Sequence, residues 1–135
     1  MIRLISGAFL VLHGLVHLLY FGQSMRLFEL QAGTLWPDGS WAFSKLLGES
    51  GTRMLVGVLC VLTAAGFVAG GAGMLLRQSW WRVAVVATAA FSAVLYILSW
   101  NGRAQRLDVQ GGVGLLIDVA ILTAVLVLRW PQTDF

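Results

Sequence analysis

The chain has 135 residues, of which 59% are hydrophobic and only 11% charged, with a mean hydropathy of +0.84. Soluble domains carry about 25% charged residues, so a water-soluble fold, a disordered chain and a fibrous repeat are all excluded. The net charge of +3 comes from nine scattered Lys and Arg against six acids. That scatter reads as flanks of membrane spans, not as the one-sided footprint of a nucleic-acid binder.

In chain order, residues 4–22 are uncharged when both His are neutral and lie between Arg3 and Arg26. A stretch of about 20 apolar residues crosses a hydrocarbon core of about 30 Å. Met1-Ile2-Arg3 leads into it without a small-residue cleavage site, so a retained span is expected rather than a signal peptide. Next comes a segment holding Glu29, Asp38 and Glu49, the aromatics Phe28, Trp36, Trp41 and Phe43, and a turn-like Trp36-Pro37-Asp38-Gly39. It is too aromatic for a linker, and an ordered loop with a short interfacial helix is expected across one end. Residues 54–76 lie between Arg53 and Arg77, and residues 83–102 between Arg82 and Arg103, with Trp80, Trp81 and Trp100 at interface depth. Residues 109–128 hold one acid, Asp118, and end at Trp130-Pro131.

In lipid every backbone polar group must be paired internally, and strict polar alternation is absent, so the segments are helices rather than barrel strands. The predicted fold is all-α: a single transmembrane domain over 1–135, a four-helix bundle. Its helices run at about 3–22, 53–76, 81–101 and 108–130, with a long aromatic loop at about 23–52. The short remaining connections make neighbouring helices antiparallel. The chain is expected to be a multi-pass protein of the cell membrane with both termini cytoplasmic, although the Lys and Arg count alone favours neither side.

Helical phase aligns the few polar residues. Ser6, His13, His17, Tyr20 and Ser24 form one stripe on the first helix, and Thr88, Ser92, Tyr96 and Ser99 one on the third. The second helix offers Cys60 and Thr63 and a glycine face of Gly66, Gly70 and Gly73, the small-residue pattern that lets backbones approach. Cys60, alone and in an apolar helix, reads as packing; one cysteine makes neither an internal disulfide nor a Cys-based zinc site. Depth counted from the flanking charges predicts His13, Ser92 and Asp118 in one layer, with His17, Tyr96 and Cys60 in the layer toward the long loop.

Asp118 is the most informative position. A carboxylate at mid-membrane costs about 2.5–3.5 kcal/mol on insertion scales, so it must face protein, and His13 or His17 is the expected partner. One reading is purely structural, a His–Asp hydrogen bond that fixes packing. A second is acid–base or ligand-binding chemistry, with a neutral His as base and Asp118 orienting it. A third is a divalent metal held by His13, His17 and Asp118, a two-His, one-carboxylate set. The pair His13 and His17 at i, i+4 points to one side of the helix, which forbids bis-His ligation of a single haem.

The first span, with Gly7 and His13-Gly14 in the run HGLVHL, resembles small DoxX-type membrane proteins and other bacterial four-helix proteins with a similar first span. The resemblance implies four spans and a subunit of, or accessory to, a quinone-linked redox system. The His13–His17 pair departs from what a DoxX-type protein is expected to carry, and no residue role is transferred.

The function expected from these residues is an intramembrane His/His/Asp pocket for a lipophilic small molecule such as a quinone, isoprenoid or sterol-like compound. His13, His17 and Asp118 carry acid–base or redox-linked chemistry, for example isomerisation or ring closure, and Tyr20, Ser92, Tyr96 and Trp41 line the ligand. The pocket is expected to open toward the long loop, with Trp36, Trp41 and Phe43 as its lid. A non-catalytic subunit of a larger membrane complex and a proton-coupled carrier working as a homo-oligomer are the alternatives. Quinone and divalent metal are the cofactor candidates; membrane lipid is a partner and nucleic acid is not.

Overall fold

The computed structural model describes all 135 residues and contains no strand. Its helices are α1 (Ile2–Ser24), α2 (Ser44–Leu75), α3 (Trp81–Leu98) and α4 (Gly112–Leu122), the last continuing as a π-helical turn over Thr123–Val127. The first three are long and apolar enough to cross a membrane, whereas Gly112–Val127 is a shorter apolar helix. α4 starts later than its apolar run predicts because Arg106 (φ +54°) and Gly111 (φ +85°) are left-handed, which leaves only a 3₁₀ turn, Leu107–Gln110, between them. Conversely, α2 starts at Ser44, well before the expected 53. Gly48 (φ +70°, ψ 172°) interrupts it, so the leading turn is separate from the long helix that follows.

Arginines mark the helix ends in a second way. α1 and α2 close with a six-residue return bond, from Leu27 N–H to the Gly22 carbonyl (2.9 Å) and from Gln78 N–H to the Gly73 carbonyl (2.8 Å). The left-handed position of each closure, usually glycine, is Arg26 (φ +58°) or Arg77 (φ +59°). A cation there suits the negative end of the helix dipole. Arg26 also donates to the carbonyls of Gln23, Leu35 and Trp36.

Glycines set the helix spacing. A Cβ on Gly14 would lie 2.8 Å from Phe67 Cβ and 3.0 Å from the Ala64 carbonyl, so α1 packs nearly backbone to backbone on α2. Gly66 and Gly70 receive Thr88 and Val85 of α3. The Tyr96 ring of α3 fills a notch at Gly111, just before α4, and Gly114 within it, where a Cβ would come within 2.1 and 3.0 Å of the ring. The helices thus pack pairwise in chain order. Two apolar clusters result. Leu10, Phe67, Met74, Trp81, Ile121 and Val125 lie toward the end that bears the termini; Tyr20, Trp36, Val56, Cys60, Leu95 and Tyr96 lie toward the long loop. The outward residues Leu4, Leu12, Leu15, Val58, Leu62, Val94 and Leu116 are exposed and apolar, a surface suited to lipid.

The segment between α1 and α2 is tied down by side chains. Buried Gln23 donates to the carbonyls of Thr34 and Trp36 and accepts from Leu30 N–H. Asp38 bridges Arg26 (2.8 Å) and Arg53. Partial burial would raise the Asp38 carboxyl, but the Arg53 hydrogen bond and the Arg26 charge outweigh it and hold its pKa below the ordinary carboxylate value.

Candidate functional site

The α1 stripe brings its histidines inward because Gly14, between them, seats on α2. His13 and His17 then pack on Phe67, with ring centroids 4.7 and 5.5 Å away. At the start of α4, the preceding Gly111 and Gly114 within the helix seat on Tyr96, which turns Asp118, four residues beyond Gly114, to the same interior. His13 Nε2 stands 3.0 Å from Asp118 Oδ1, the principal side-chain link between α1 and α4. His17 is held at both nitrogens. Its Nδ1 lies 3.0 Å from the His13 carbonyl, which only accepts, so Nδ1 carries the proton. In the neutral ring Nε2 accepts, and its partner is the Ser92 hydroxyl at 2.9 Å.

Asp118 is fully buried, yet only Oδ1 is satisfied: Oδ2 has no hydrogen-bond partner. An unsatisfied buried polar atom costs about 1–3 kcal/mol, and more when charged. A cavity of about 280 Å³ opens between α1 and α4, lined by Ser6, Phe9, Trp81, Ile117, Ile121 and Trp130 among others. Neither His13 nor Asp118 lines this cavity; Phe9, parallel to the His13 ring at a centroid distance of 6.0 Å, and Ile117, next to Asp118 in sequence, stand on its wall. Trp81, itself buried, adds an indole N–H without a partner.

This cavity lies at the end bearing the termini, opposite the expected opening. Between His17 and the long loop the bundle interior is filled instead. Tyr20, Trp36 and Tyr96 contact one another at centroid distances of 5.3–6.2 Å, and Tyr96 lies 5.7 Å from His17. The Tyr20 hydroxyl donates to the Asp108 carbonyl (3.0 Å), and Phe43 packs on the same cluster. Trp41 takes no part: it is 58% exposed, and its indole donates to the Ile97 carbonyl (2.7 Å) on the outside. Ser92 makes its hydrogen bond with His17. Phe9, Phe67 and Gln23 escaped the sequence reading. Phe9 is four residues before His13 on the same face, a spacing that could have signalled it.

Nitrogen and oxygen ligand atoms of His13, His17 and Asp118 lie within 4.8 Å of one another. A tetrahedral ion with bonds of about 2.1 Å needs separations of about 3.4 Å. Metal binding would therefore require the set to contract and His17 to leave Ser92 or the His13 carbonyl.

No family model, curated protein or solved structure matches the chain.

Proposed function

We propose that the chain is an integral protein of the cell membrane with four spans, both termini cytoplasmic, whose His13–Asp118 dyad engages the polar head of a lipophilic small molecule. The observation that carries this reading is the unpartnered Asp118 Oδ2, buried beside an apolar cavity between α1 and α4. A purely structural dyad would leave a tight, satisfied interior. An unpartnered carboxylate oxygen near a cavity favours a ligand over a non-catalytic subunit, and a carrier would need a second chain to line its path. As the fourth span, Gly112–Val127 is about 24 Å at 1.5 Å per residue, short of about 30 Å, with the 3₁₀ turn and Trp130 extending it.

His13 and Asp118 share one proton position and act as the acid–base pair toward a ligand oxygen or acidic C–H. His17 is a positioning residue, locked between Ser92 and the His13 carbonyl, and Tyr96 and Tyr20 close the site toward the loop. The chemistry is acid–base or redox-linked, and the DoxX-type resemblance would make the ligand a quinone. The proximity of His13, His17 and Asp118 supports a second reading, a divalent metal.

Lipid extraction with mass analysis, run beside elemental metal analysis, tests these readings. Purified protein is expected to retain a defined lipophilic compound that Asp118→Leu loses. Stoichiometric metal without such a compound would favour the second reading, and neither would refute both. Cysteines placed at exposed Ala32 and Gln78 should label from opposite sides of the membrane; same-side labelling would refute four alternating spans.

A further inference from the structure

A second cavity, of about 260 Å³, lies at the long-loop end, remote from the α1–α4 cavity. Thr34, Trp36, Asn101, Arg103, Gln105 and Arg106 carry its polar lining. Two of these residues hold buried polar atoms without partners: the Thr34 hydroxyl and the Trp36 indole N–H, on residues 3% and 4% exposed. They come from the loop between α1 and α2, whereas both arginines follow α3. The Arg103 guanidinium makes no ion pair, and Arg106 spends only Nη2, on Gln31 and the Ala32 carbonyl. The carboxylate on the wall, Asp38, is already taken by Arg26 and Arg53. An indole N–H and a guanidinium can only donate, so the missing partner must bring several acceptors and negative charge.

We propose that this cavity binds a phosphate-class oxyanion, with Arg103 and Arg106 supplying charge-assisted donors and Trp36 and Thr34 neutral ones. A tetrahedral oxyanion offers acceptors in several directions at once, which suits donors converging from two segments. The site stands where α1 and α3 end, at the level of lipid headgroups if these helices span. The phosphate can therefore be that of an anionic lipid or of a soluble molecule. The inference does not depend on the His13–Asp118 reading.

The test follows the thermal unfolding midpoint of the full chain in phosphatidylcholine nanodiscs, with phosphatidylglycerol added to the disc in one arm and inorganic phosphate to the buffer in another. A saturable rise in either arm is expected; a rise with the lipid alone assigns the phosphate to a headgroup, and a rise with inorganic phosphate alone to a soluble ligand. Arg103→Gln should weaken half-saturation by about tenfold or more, while Arg77→Gln, at the opposite end, should leave it unchanged. Thr34→Val removes the unpartnered hydroxyl while keeping the shape, so it should raise the ligand-free midpoint yet shrink the rise on binding. No rise in either arm, equal loss in the Arg77 variant, or a lower ligand-free midpoint for Thr34→Val would each overturn the proposal.

Discussion

The two ends of the molecule handle polarity in opposite ways. At the long-loop end, several polar groups close the structure: Gln23 holds three backbone groups, Asp38 holds two arginines, and Tyr20, Trp36 and Tyr96 seal the interior above His17. At the end bearing the termini, an apolar cavity lies behind Phe9 and Ile121, near a dyad whose carboxylate is half satisfied. Most polar groups of the loop end lock the fold, with the Thr34 hydroxyl and the Trp36 indole N–H left over; at the other end the group left over is one oxygen of a buried carboxylate. In a low-dielectric interior an open acceptor is costly, and a ligand that meets it gains what the empty site lacks.

Removing the buried pair should do most to break this contrast. Asp118→Leu strands His13 and should cost about 3–5 kcal/mol, the range for breaking a buried pair. Asp118→Asn keeps an acceptor for His13 and should cost about 1 kcal/mol. Equal losses in a denaturation series would show that the carboxyl matters only as volume. Gly14→Val comes next. It drives a side chain into Phe67 and the Ala64 carbonyl, and overpacking of about 1–3 kcal/mol should part α1 from α2 and loosen the dyad. Unchanged stability and unchanged ligand retention would mean that the glycine contact does not position the site.

The loop end should respond to acid. The folded Asp38 pKa lies below its unfolded value of about 3.9, so its stabilisation is complete above that value and fades as pH falls through the folded value. Pepsin cleavage within residues 26–43 should accelerate over that window relative to Asp38→Asn, which lacks the titration. Identical pH profiles for the two proteins would remove Asp38 from the account. The smallest effect belongs to Arg77, exposed and left-handed. Arg77→Gly should raise the melting point slightly by relieving about 1 kcal/mol of backbone cost, and a fall would show that the charge outweighs the strain.

Much of this arrangement is legible in the sequence, because lipid leaves polar residues few choices. His13 and Asp118 are the mid-depth ionisable groups of the first and fourth segments, and phase turned both inward. Phase put Ser92 on the inward stripe of α3, but which histidine it meets depends on helix contacts that the sequence does not encode. Loops carry no period, so nothing in the sequence separated Trp36, which is buried, from Trp41, which is outside. The position of the cavity was illegible for a different reason. It is the gap left between α1 and α4, which are joined chiefly at one side-chain pair, and such a gap follows from the packing of all the other pairs. The left-handed Arg106 and Gly111 likewise shortened α4 against an apolar run that continued past them.

The central claim is that the free oxygen of Asp118 receives a ligand. Infrared difference spectra between protein as purified and protein stripped of bound lipid read this directly, with Asp118→Asn identifying the carboxyl band. A carboxyl band that shifts on stripping and is missing from the Asn variant is the predicted result. An Asp118 band that is the same with and without bound lipid would contradict the account.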